Sequence, residues 1–170
     1  MKAASANLPL RCRRTTYCAG PAFIVPAGWD NHLFGDRTVR VRNDYPFVPK
    51  SSLKMRRGDY WPLRCDDGSY GFCVFLSVWG HMRSGLVVGV LGMVSAEPTI
   101  PESGPIIPIL EAGHTHVKTF AATGSSVVGN IEARLSIAEI ESYLVALEKV
   151  SVVWGYMVPL EKVNEVRSIV

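Results

Sequence analysis

The chain has 170 residues, with 18 Lys+Arg against 15 Asp+Glu and a formal net charge of +3. At 48% hydrophobic and 19% charged it can bury a real core, which excludes global disorder, and its length suits one domain with at most an appendage. The longest stretches free of charged residues, Thr15–Trp29 and Gly68–Met82, are 15 residues each and broken by Gly or Pro. They are shorter than the roughly 18 apolar residues of a spanning helix, so no membrane association is expected. The near-neutral total hides a split. Residues 1–64 hold twelve basic and four acidic residues, a balance of +8; residues 65–170 hold six and eleven, a balance of −5.

Residues 1–20 read as a basic flexible arm, with Arg11, Arg13 and Arg14 among Ser, Thr and Pro. Lys2 followed by Ser5, Asn7 and Pro9 does not make a secretory signal, so a cytoplasmic location is expected. Residues 21–170 read as a single α+β domain. Within them Phe23–Val25 is a short apolar piece, and Thr38–Arg42 alternates with period two, as a strand does. Tyr60–Arg64 predicts a strand, Asp67-Gly68 a turn, and Tyr70–Trp79 a second strand. The second strand is apolar on both faces, Tyr70, Phe72, Val74, Leu76 and Val78 on one and Cys73, Phe75 and Trp79 on the other. It therefore reads as a central strand of a sandwich or barrel, or one covered by a helix. Leu86–Val94 predicts a third strand, with Gly89 and Gly92 marking a bulge or bend.

Four prolines make residues 97–108 an extended loop. Ile106–Leu110, His116–Phe120 and Val127–Ile131 are further strand candidates. Ser136 and Glu139 match a capping box, and Ile137, Ile140, Leu144 and Leu147 form one stripe of a helix over 136–149. Val150–Val158 predicts a strand. Pro159 opens a short terminal helix with Leu160, Val163 and Val166 inward. The fold expected is β-rich α+β: a small, strongly curved antiparallel sheet or partial barrel, one main C-terminal helix and one short one.

Chemistry-bearing patterns are sparse. His114-Thr-His116 places two imidazoles on one strand face, the spacing of two metal ligands; a third ligand would come from His32, His81, Glu111, Cys65 or Cys73. This pair defines one alternative, a metal-dependent hydrolase. Cys12, Cys18, Cys65 and Cys73 include no C-x-x-C pair and read as free thiols. Asp66-Asp67 precede Gly68, where Asp suits a turn. The bases at 1–57, with Tyr17, Tyr45 and Phe47, define a second alternative, a nucleic-acid-binding module.

Three ordered segments resemble the immunity protein 26 family of bacterial polymorphic-toxin systems. Gly58-Asp-Tyr-Trp-Pro-Leu-Arg-Cys-Asp-Asp-Gly-Ser-Tyr-Gly-Phe-Cys-Val74 is similar to that family's G-D-x-aromatic/apolar-x-P-L…D-G-x-Y-G-F pattern. Glu111-Ala-Gly-His-Thr-His-Val-Lys118, running on to Val127-Val-Gly-Asn-Ile131, is similar to its G-x-x-H-x-K … I-G stretch. Val153-Trp-Gly155 is similar to a strand near its end. The likeness covers about residues 53–160, and the basic first 50 residues have no counterpart. It implies a non-enzymatic protein, without cofactor or metal, that binds a cognate toxin and blocks its active site or substrate access. Asp59, Tyr60, Trp61, Asp66 and Asp67 are the toxin-binding candidates, as aromatics beside acids. The acidic second half suits a basic, nuclease-type toxin rather than nucleic acid as a direct ligand.

Overall fold

The computed structural model describes residues 44–80 and 83–168. All of them belong to one compact unit, Thr38–Val170. The basic arm 1–20, the Phe23–Val25 piece and the Thr38–Arg42 strand lie outside the described residues.

Five antiparallel strands form one open sheet: β1 (Asp59–Arg64), β2 (Tyr70–Val78), β3 (Gly85–Ser95), β4 (Ile109–His116) and β5 (Gly129–Asn130). Their order is β4-β3-β2-β1-β5, which puts β2 at the centre and leaves β4 and β5 as edges. The sheet does not close into a barrel. Among the described residues three α-helices accompany it: α1 (Lys118–Thr123), α2 (Ile137–Lys149) and α3 (Val158–Arg167).

The double-sided apolarity of β2 is satisfied by helices on both faces. One face joins Trp61, Leu63, Cys73, Phe75, Val88 and Val90 to Phe120, Trp154 and to Val163 and Val166 of α3. The other joins Tyr60, Phe72, Val74, Leu76, Leu91 and Ile109 to Ile140 and Leu147 of α2. The expected alternation fails at the end of β2. A register shift between Phe75 and Ser77 re-aims the strand. Val78 then packs with the Phe75 face and Trp79 with the Leu76 face. An extra residue in a period-two ladder inverts everything beyond it.

The β1–β2 turn forms as Asp67-Gly68 requires. Gly68 has φ +88°, and Cys65 N–H donates to Ser69 O at 2.8 Å. In β3 the irregularity falls at Val90/Leu91, between the two glycines. A Cβ on Gly89 would lie 2.8 Å from Ile109 Cγ2, so this position is reserved for close approach of β4.

Four expectations are corrected. The segment 116–120 is not a strand: β4 ends at His116 and α1 begins at Lys118. The Ile106–Leu110 strand begins only at Ile109, because Ile107 N–H is spent on Arg134 O at 2.9 Å. Val127–Ile131 pairs as strand only over Gly129–Asn130, with an isolated bridge from Val127 to Phe47. Val150–Val158 contributes no ladder; it touches β4 through one parallel bridge, Val153 to His114.

Helix α2 begins where the capping signal places it, with Ser136 Oγ accepting from Glu139 N–H at 3.3 Å. Glu139 also bonds beyond its own helix. Its carboxylate accepts from Ile109 N–H at 3.2 Å, while Tyr143 donates to Ile109 O at 2.9 Å. Both groups of an edge residue are thereby satisfied by a helix, which blunts the start of β4. Ile137, assigned to the inner stripe by period, is 62% exposed. The proline loop 97–108 is fastened by Arg134, which donates to Pro105 O at 3.1 Å and Pro101 O at 2.5 Å.

Candidate functional site

The three family-like segments meet one another. Asp59 and Tyr60 of β1 pair with Asn130 and Gly129 of β5. At that junction the Asp59 carboxylate is fully buried and accepts from three groups. They are Tyr45 Oη at 2.6 Å, Arg56 N–H at 2.8 Å and Asn130 Nδ2 at 2.9 Å. Asn130 Nδ2 also donates to Arg57 O at 2.8 Å. Burial, and then the bond given to Asp59, raise the Tyr45 hydroxyl above its ordinary pKa. Gly58 beside it needs its missing side chain twice over. Its φ is +84°, and a Cβ would lie 2.5 Å from Glu132 N.

Tyr60 and Trp61 are core residues, 4% and 0% exposed. The Tyr60 hydroxyl accepts from Ile100 N–H at 2.9 Å, holding the proline loop. The Trp61 ring packs 4.8 Å from Phe120, and its buried Nε1 has no hydrogen-bond partner among the described residues. Asp59, Tyr60 and Trp61 therefore present no surface to a partner, which corrects the reading of them as exposed anchors. The pattern of aromatics beside acids misled here because both faces of this sheet are covered.

Asp66 and Asp67 are exposed, as a toxin contact requires. Asp67 Oδ1 accepts from the Ser69 hydroxyl at 2.6 Å and Ser69 N–H at 3.0 Å. Its Oδ2 lies 3.2 Å from Arg167 Nη1 of α3. The Ser69 donors first, and Arg167 next, hold the carboxyl below its usual range. The structure thus separates the five candidates: two at the hairpin tip and three inside.

His114 and His116 share a face of β4 but have different surroundings. His114 is 5% exposed, stacks on Trp79 at 4.5 Å and 3°, and has Nδ1 3.4 Å from Ser151 Oγ. Burial lowers its pKa. His116 Nδ1 accepts from Lys118 N–H at 3.0 Å, and its ring meets Tyr156 edge-on at 5.9 Å. Among the described residues no group of three or more His, Cys, Asp or Glu is placed to hold a metal ion. Cys65 and Cys73 are free and buried, and burial raises the Cys73 thiol well above its ordinary pKa.

Sequence reasoning read 150–158 as a strand and did not name it as an exposed surface. Val150, Val152, Val153, Tyr156 and Met157 are 65, 39, 60, 44 and 43% exposed. Trp154 alone turns inward, over Gly113, where any Cβ would enter its ring. The backbone is pinned on both sides of Val153: His114 N–H donates to Val152 O at 2.7 Å and Trp154 N–H to His114 O at 2.6 Å. Thr119 Oγ1 donates to Tyr156 O at 2.7 Å. Lys118 Nζ lies 5.9 Å from the centre of the Tyr156 ring. The adjacent apolar pair Val152-Val153 was the available signal, since an isolated segment has no second layer to cover both. No family model, curated protein or solved structure matches this chain.

Proposed function

We propose that this protein is an immunity-type inhibitor that neutralises a cognate toxin by binding it, and does so without catalysis. One observation carries the reading: the three segments that resemble the immunity protein 26 family pair with one another in space. Asp59-Tyr60 meets Gly129-Asn130, and Trp154 seats on Gly113. Residues that carry the resemblance at distant points of the chain form joints of one scaffold, which supports the reading. The Asp59 carboxylate and the Asn130 amide are spent on backbone and on each other. What the scaffold offers outward is apolar side chains on a pinned backbone, which suits recognition of another protein. Among the described residues no helix is long and apolar enough to cross a membrane.

The test is co-expression with the toxin domain encoded by the reading frame directly upstream. Rescue of growth, together with a stable complex on gel filtration, is the expected outcome. A toxin that still kills, with the two proteins eluting separately, would overturn the proposal.

A further inference from the structure

We infer that the strap Val150–Met157, with His116 and Lys118 beside it, is the surface that holds the partner, and that the partner's contact face is apolar and rimmed by carboxylates. The inference deepens the toxin-binding proposal and rests on it.

Exposure supplies the first argument. Among the described residues eleven large hydrophobics are exposed, and five of them fall within the eight residues 150–157. Isolated exposed hydrophobics are normal, whereas a contiguous run of them marks an interaction site. Tyr and Met are among the residue types enriched in protein interfaces, where they give area at modest cost in order.

Preorganisation supplies the second. An exposed apolar segment would ordinarily be a loose loop. This one is fastened by two backbone hydrogen bonds to His114, by the Trp154 ring over Gly113 and by Thr119 on Tyr156 O. Its conformation is set before a partner arrives, so binding need not supply the entropy of ordering it.

Charge supplies the third and selects the partner. From Lys149 to Leu160 the chain has no acidic residue. Lys118 lies over the Tyr156 ring and His116 lies at its edge. Lys118, exposed, and His116, half-buried, belong to the family-like G-x-x-H-x-K stretch. Unlike the Asp59 carboxylate, the Lys118 ammonium is not buried, and it lies against the strap at Tyr156. A face with the Lys118 ammonium against an aromatic and aliphatic centre, and Lys149 where the strap begins, is complementary to carboxylates beside an apolar one. The local sign is opposite to the −5 balance of residues 65–170.

The experiment uses the full chain and, as probe, the toxin domain from the adjacent upstream reading frame. Affinity and association rate are measured for wild type, Val153→Asp, Tyr156→Ala, Lys118→Glu and, as a control in the proline loop, Glu102→Lys. All the altered side chains are exposed, and melting curves check that each variant folds. Tyr156→Ala and Val153→Asp should weaken binding at least about thirty-fold, the size of a hot-spot loss. Lys118→Glu should slow association, and added salt should reduce that difference. Glu102→Lys should bind as wild type. Tight binding by wild type that survives all three strap variants overturns the surface while leaving the immunity role standing. No binding by wild type overturns the immunity role and, with it, this assignment. Concentration-dependent dimers abolished by Val153→Asp, or adsorption to anionic phosphatidylserine vesicles through the strap, would replace the protein partner by a second copy or a lipid surface.

Discussion

Asp59 shows how little of a residue's role its type reveals. As an acid between a glycine and two aromatics it reads equally well as a surface contact. In the fold it gathers Tyr45, Arg56 and Asn130 around one buried carboxylate. Asp59→Ala leaves these donors facing a void. The loss should be about 3–5 kcal/mol in urea unfolding, the cost of breaking a buried charged network. Asp66→Ala, at the exposed turn, should stay within about 0.5 kcal/mol. His114 adds a pH dependence. Its folded pKa lies below the ordinary 6.5 because burial disfavours the imidazolium. The unfolded chain therefore binds the proton more readily, and stability rises with pH in this window. The contribution is complete above pH 6.5 and is lost as pH falls from there through the folded value. Thermal melting from about pH 7.5 down to about 5 should show this fall, and His114→Gln should flatten it.

At the scale of elements, edges and joints decide more than the strands themselves. The strands β1, β2 and β3 lie close to where alternation and turn residues place them, because each carries a local signal. The position of the strap depends instead on a contact with a segment distant in sequence. Gly113 is the seat of that contact. Gly113→Ala puts a methyl into the Trp154 ring. The ring must leave, at a cost of about 1–3 kcal/mol for overpacking. The strap should then lose hydrogen-exchange protection at Trp154 N–H while the β1–β2 ladder keeps its own. Equal protection in wild type and variant would show that the strap is held without the tryptophan. The cap of α2 was legible in Ser136 and Glu139. That Glu139 also reaches the edge of β4 was not, because nothing in the spacing of 109 and 139 announces it.

For the molecule as a whole, the central strand makes a reporter of global opening. Cys73 is 0% exposed, covered by core on its face of β2, and Cys65 is 4% exposed. Alkylation of either in the native protein should require unfolding of the sheet. Labelling of the Cys73 peptide, followed by mass spectrometry, should be slower than in the denatured chain by more than about a hundredfold. Fast native labelling would mean that the sheet opens locally. The five candidate contacts divide by the same logic. A pattern of aromatics and acids cannot say which face is covered, since that depends on the helix that arrives from the end of the chain.

Composition and local pattern were enough for the α+β class, the β1–β2 hairpin, the double-sided central strand and the cap of the main helix. Each follows from interactions between neighbours in sequence: alternation, turn conformation, a side chain reaching a nearby N–H. Tertiary structure alone decided that helices rather than a closing barrel cover the sheet, that Asp59, Tyr60 and Trp61 lie inside, and that Val150–Met157 lies outside. Those outcomes depend on which distant segments pack together. Burial is a property of the packed pair, not of either segment alone.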